Sequence, residues 1–164
     1  MAQLIRNRRP EDALVQATPA QKVLLLEVIM GSASYRDERE KCTTAARSLL
    51  ELTDNLPKSP HLLQMRVDAE RMLGKMALRN GDPKAAIRYM FASAEKSFPG
   101  ERHSFELARS LVDWGYRDAV ATYLERLARG HRESQKLTEW AALIRQGRNP
   151  DLIPYHTGCA KEPC

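Results

Sequence analysis

Residues 78–90 read LRNGDPKAAIRYM, and residues 112–124 read VDWGYRDAVATYL. From Gly81 to Gly115 is 34 positions (115 − 81 = 34), and the offsets around each glycine agree. Five residues after the glycine stands Ala86 or Val120, and eight after it Tyr89 or Tyr123. Glycine tolerates the left-handed backbone that reverses a chain beyond a helix. Asp82 can cap the helix that follows, and Pro83 suits its first position. Each stretch therefore predicts a helix, a tight turn and a second helix.

The same punctuation extends in both directions. Pro10 followed by Glu11 and Asp12 starts a short helix to about Gln16. Thr18-Pro19 opens a helix to Met30, with Gly31 ending it, and a longer helix runs from about Ser34 to Leu56. Pro57 and Pro60 stop that one. Ser59-Pro60 starts the helix that reaches Asn80 on Leu62, Leu63, Met65, Val67, Met72, Leu73, Met76 and Ala77. Asp82-Pro83 starts the next, which lasts to Pro99-Gly100. Three more are expected: about Glu101–Trp114, Arg117–Arg129 and Glu133–Gln146, closed by Gly115, Gly130 and Gly147. Residues 148–164 hold three prolines and no periodicity, and read as an extended tail after a frayed arm and short helix in 1–17. No stretch alternates as a strand does, so the expected class is all-α.

Hydrophobic residues at 43% and charged residues at 29% describe an ordinary folded balance, which excludes a wholly disordered chain. The net charge of +5 is mild, and the signs are mixed in SYRDEREKC (34–42). Only the arm Arg6, Arg8 and Arg9 is basic without nearby acids. The longest apolar run, VLLLEVIM (23–30), is interrupted by Glu27 and too short to span a membrane. Nothing near Met1 reads as a secretion signal, so the cytoplasm is expected unless a leader has been removed. An odd count of three cysteines, Cys42, Cys159 and Cys164, argues against a disulfide framework, although the last two could bridge within the tail.

A period of 34 residues of helix–turn–helix resembles the tetratricopeptide repeat. Residues 73–90 carry the likeness, with Leu73 and Gly74 in the first helix, Gly81 and Asp82 at the turn, and Ala86, Ile87 and Tyr89 in the second. Leu107, Ala108, Leu111, Gly115, Val120, Tyr123 and Leu124 occupy the corresponding places of the second unit. Ala108 replaces the packing glycine and Val120 the small alanine. The family's aromatic near the start of the first helix is missing, with Glu70 and Ser104 in its place, and Pro99 comes one position late. The closing LTEWAALIRQGRNPDL (137–152) is also similar to the end of uncharacterised bacterial tetratricopeptide-like proteins. The resemblance implies antiparallel helical hairpins stacked as a short right-handed superhelix over 18–147, with repeats at about 67–99 and 101–132. A degenerate hairpin at 18–57 would precede them, and the helix at 133–146 would cap them. An unrelated bundle with a chance echo is the alternative, and the repeated offsets decide against it.

Motifs of chemistry are thin. His156, Cys159 and Cys164 cluster in the tail but lack a Cys-x-x-Cys knuckle and a second ligand pair, so no metal is expected. His61, His103 and His131 sit near helix starts or turns and read as surface or cap residues. No Gly-x-Ser-x-Gly elbow and no glycine-rich phosphate loop occurs, and Cys42 reads as half-buried packing. No catalytic residue and no cofactor are expected, and an enzyme is not.

The resemblance instead implies a concave face, lined by the first helix of each hairpin, that takes peptides or protein segments. Carried over by position, the partner-binding candidates are Asp68, Arg71, Lys75, Leu78 and Arg79, with Arg102, Phe105, Arg109, Val112 and Asp113 from the second unit. Arg71, Lys75, Arg79 and Arg109 make this face mainly basic, which suits an acidic peptide or a C-terminal carboxylate. The plainer reading is a solvated helix face. Tyr89, Met90, Tyr123 and Trp140 read as core. The expected function is a non-enzymatic protein–protein interaction scaffold. Alternatives are a nucleic-acid-associated regulator using the basic surface, and a self-assembling module in which the Leu24–Ile29 helix pairs with a copy as a homodimer.

Overall fold

A computed structural model describes residues 10–95, 104–131 and 133–152. Every regular element among them is an α-helix: α1 (Pro10–Ala13), α2 (Pro19–Tyr35), α3 (Arg39–Asp54), α4 (Pro60–Arg79), α5 (Pro83–Glu95), α6 (Glu106–Asp113), α7 (Arg117–Ala128) and α8 (Ser134–Arg145). The all-α expectation holds. The chain divides into two compact units, residues 1–98 and 99–164, a division inside the stretch 18–147 expected as one repeat domain.

In the first unit, consecutive helices α2 to α5 pack each on the next. Local chemistry starts them where the sequence says. Thr18 caps α2 in a reciprocal box with Gln21, and Pro19 takes the first position. The Ser59 hydroxyl accepts from the Leu62 amide at 3.2 Å ahead of α4. Asp82 Oδ1 accepts from the Ala85 amide at 2.9 Å at the head of α5. The core then assembles from the apolar stripes: Val23, Leu26, Ile29, Met30 and Ala33 of α2, Cys42, Ala45, Ala46 and Leu49 of α3, and Met65, Ala69, Leu73 and Met76 of α4. Each large side chain so buried contributes about 1.5–3 kcal/mol. Gly74 and Ala86, the small positions of the repeat pattern, are both buried.

The α2–α3 boundary departs from expectation. Gly31 does not end α2; the helix continues through it to Tyr35, and the break falls at Arg36–Glu38 rather than before Ser34. A mid-helix glycine costs only about 1 kcal/mol, and Ile29, Met30 and Ala33 are buried on either side of it. Their packing outweighs that cost. The reversal is made by Asp37, whose φ of 58° is left-handed.

The second unit contains α6, α7 and α8, with α7 packed mainly on α8. Leu107, Ala108, Leu111, Val120, Tyr123, Leu124, Leu137, Trp140 and Ile144 are buried. Helix α6 starts at Glu106, later than the expected Glu101, with Ser104 and Phe105 non-helical and no side-chain cap at Phe105. Phe105 instead lies edge-on to Trp140, ring centroids 5.5 Å apart. Packing rather than capping sets this entry. The tail has a fixed start: residues 146–152 are non-helical, and Leu152 is 6% exposed.

Three glycine turns share one hydrogen-bond pattern. The amides of Asp82, Tyr116 and Arg148 donate to carbonyls five residues back, on Ala77, Leu111 and Leu143, at 2.9–3.0 Å. The amides of Gly81, Gly115 and Gly147 donate three residues back, at 2.9–3.0 Å, with φ of 75°, 88° and 79°. These are Schellman closures, with glycine at the left-handed position. Gly130, expected to close α7, has no positive φ.

Candidate functional site

The candidate residues of α4 divide by burial. Arg71 and Leu78 are buried, Asp68 and Lys75 half-buried, and Arg79 exposed. Gln64 Nε2 donates to both Asp68 oxygens at 3.2 and 3.1 Å, and Arg71 Nη1 lies 3.6 Å from the same carboxylate. Arg79 reaches back to the α2–α3 turn, where its Nη1 is 3.0 Å from Asp37 Oδ1. Arg39 completes that group: its Nε donates to Asp37 Oδ1 at 3.3 Å and its Nη1 to the Arg79 carbonyl at 3.1 Å. The Arg39 hydrogen bond and charge, helped by Arg79, hold the Asp37 carboxyl below the usual aspartate range. Two basic candidates of α4, Arg71 and Arg79, thus face carboxylates of the protein itself.

The candidates on and beside α6 also divide. Phe105 and Val112 are buried, so the face expected to be open includes core at these two positions. Arg109 and Asp113 are exposed. Arg102 lies outside the described residues. Arg109, Val112 and Asp113 come together with Asn149, Pro150, Asp151 and Leu152 around a cleft of about 280 Å³. Its walls offer one guanidinium, two carboxylates, one amide and an apolar floor from Val112 and Leu152. Residues 149–152, expected to lie in an extended tail, form one wall of this cleft. The exposed Trp114 stands beside Asp113 at the end of α6.

A second cleft, of about 610 Å³, lies between α1, α2 and α3. Leu14, Leu26, Ile29 and Ala45 form its apolar part, and Glu11, Glu38, Arg39, Glu40 and Lys41 its charged rim. Lys41 pairs with Glu11, and lies 3.5 Å from Glu38. These carboxylates raise the Lys41 pKa, led by the Glu11 hydrogen bond. No motif in the alternating charges of 36–41 signals a concavity.

The remaining sequence candidates can be placed briefly. Cys42 is 0% exposed rather than half-buried, and its thiol donates to the Met30 carbonyl at 3.5 Å. Burial pushes that thiol's pKa up, against the pull of the Arg79 and Lys75 charges. His131 Nδ1 accepts from the Glu133 amide at 3.1 Å, a capping role. His61 is exposed at the start of α4. His103, His156, Cys159, Cys164 and the arginines of the arm lie outside the described residues. Met90, Tyr123 and Trp140 are buried and Tyr89 half-buried, as core residues are. Among the described residues no helix is long and apolar enough to cross a membrane, and no group of three or more His, Cys, Asp or Glu is placed to hold a metal ion. No family model, curated protein or solved structure matches the chain.

Proposed function

We propose that the chain is a non-enzymatic protein–protein interaction module, its hairpins stacked in the tetratricopeptide manner and its partner a peptide or protein segment that presents a single carboxylate. The observation that carries this reading is the cleft at Arg109, Val112, Asp113 and Asn149–Leu152. It gathers three of the residues that the repeat pattern assigns to a partner. Its size suits one or two side chains of a bound segment. Arg109 supplies a planar, permanently charged fork for a carboxylate. Asn149 adds both a donor and an acceptor, and Val112 with Leu152 an apolar floor. Asp113 and Asp151 set the limit on what enters, since a second acidic group beside them is repelled.

The test is binding of synthetic acidic, neutral and basic peptides to the whole chain, followed by fluorescence anisotropy. Acidic peptides bind, and Arg109→Glu weakens them by about 1.5–3 kcal/mol, roughly tenfold to more than a hundredfold. Arg109 is exposed, so the variant folds as the parent does. Binding of basic peptides alone, or acidic binding indifferent to Arg109→Glu, would sink the reading.

A further inference from the structure

Helix α2 contradicts its own composition. It is apolar on nearly every side, carrying Val23, Leu24, Leu25, Leu26, Val28, Ile29 and Met30, and such a helix belongs in an interior. Yet only one face is covered. Val23, Leu26, Ile29, Met30 and Ala33 are buried, while Leu24 is 44% exposed, Val28 52% and Tyr35 94%. With exposed Gly31 between them, Leu24, Val28, Gly31 and Tyr35 follow at steps of four, three and four. That is the spacing of a seam made to meet another helix.

We propose that this seam is the contact of a reversible antiparallel homodimer, α2 against α2 of a second copy. The sequence of the seam is complementary to itself. About a two-fold axis midway between Ile29 and Met30, Leu24 falls opposite Tyr35 of the second copy and Val28 opposite its Gly31. Every pairing occurs twice, as an isologous interface requires. The sizes fit as well. Val28 is a knob, and the space over Gly31 is open, since a Cβ placed there meets nothing within 4 Å. Leu24 gains the broad face of Tyr35.

The charges permit the same register. Glu27 is the charge beside the seam, and the axis places it opposite Ser32 of the second copy. The two Glu27 carboxylates are displaced from each other by roughly 7 Å along the helices. The seam consists of four exposed positions on one helix, a smaller contact than the roughly 1,600 Å² of a standard specific interface. So small a contact accounts for a dimer that dissociates on dilution rather than an obligate one.

Sedimentation equilibrium of the full chain, from about 1 µM to about 500 µM, reads the prediction directly. The mass rises with concentration and stops at two copies. Val28→Glu and Gly31→Arg each weaken the association by about tenfold or more. Both positions are exposed, and Gly31→Arg removes a mid-helix glycine, so thermal melts of dilute samples show both variants folded. A mass that stays monomeric at the highest concentration overturns the proposal. So does a dimer that both variants leave intact, and so does an assembly larger than two.

Discussion

The α4–α5 turn and the α2–α3 turn, both in the first unit, are closed by the same two backbone bonds. Asp82 donates to the Ala77 carbonyl at 2.9 Å and Gly81 to that of Leu78 at 3.0 Å. Glu38 donates to the Ala33 carbonyl at 2.8 Å and Asp37 to that of Ser34 at 3.3 Å. Their pivots differ: Gly81 at φ 75° and Asp37 at φ 58°. Glycine adopts that backbone without a Cβ penalty. Aspartate tolerates it better than most residues but does not escape the cost. What distinguishes Asp37 is its company, because Arg39 and Arg79 both bind its carboxylate. The pivot of the first turn needs no side chain. The second depends on a side chain from α4, forty-two residues away. A turn of one geometry can thus be written in the local sequence or be held by the tertiary fold.

The largest test of the contrast replaces the free pivot. Gly81→Val places a β-branched side chain in the left-handed region, where strain costs about 1–3 kcal/mol. Urea denaturation should show a lower midpoint with an unchanged slope, since the surface exposed on unfolding is the same. The space around Gly81 is open, with nothing within 4 Å of a Cβ, so the loss is conformational and not a clash. An unchanged midpoint would remove the claim that backbone freedom defines this turn.

A smaller effect separates the two contributions at the other pivot. Asp37→Gly relieves the backbone but deletes the carboxylate, whereas Asp37→Ala deletes the carboxylate and keeps the strain. The thermal midpoint of Asp37→Ala should lie below both the parent and Asp37→Gly. Equal midpoints for the two variants would show that the left-handed conformation costs little here. A midpoint for Asp37→Ala equal to the parent's would show the arginine contacts to be incidental.

This contrast explains what could be read from the chain. Gly81, Gly115 and Gly147 were visible because each satisfies its turn by itself, and so were the helix starts at Thr18-Pro19, Ser59-Pro60 and Asp82-Pro83. Gly31 misled for the same reason: a helix-ending residue was overruled by the burial of Ile29, Met30 and Ala33. Asp37 was invisible because one of its two partners, Arg79, comes from elsewhere in the fold. The candidate site behaved likewise. Arg109 and Asp113 are exposed, while Arg71 is buried, with its guanidinium 3.6 Å from the Asp68 carboxylate, and Phe105 is spent on Trp140. The Asn149–Leu152 wall of the cleft has no periodicity, so only the folded chain reveals it.

The smallest expected effect is the pH dependence of the aspartate turn, and its sign follows from the carboxyl's lowered pKa. Unfolded, Asp37 titrates near its ordinary value of 3.8; folded, it holds its charge to lower pH. Its contribution is therefore complete above 3.8 and is lost as pH falls through the native value, where the folded state must also accept the proton. The pivot of the glycine turn carries no titratable group. Comparing the parent with Asp37→Asn cancels the other carboxylates, which titrate alike in both. The gap between their thermal midpoints should be widest near neutral pH and close as the pH drops below 3.8. Because the group is exposed, added salt should narrow the gap at neutral pH too. A gap that ignores both acid and salt would mean that Asp37 holds its turn through the shape of its side chain, and that its charge, with the arginines gathered around it, contributes nothing to the fold.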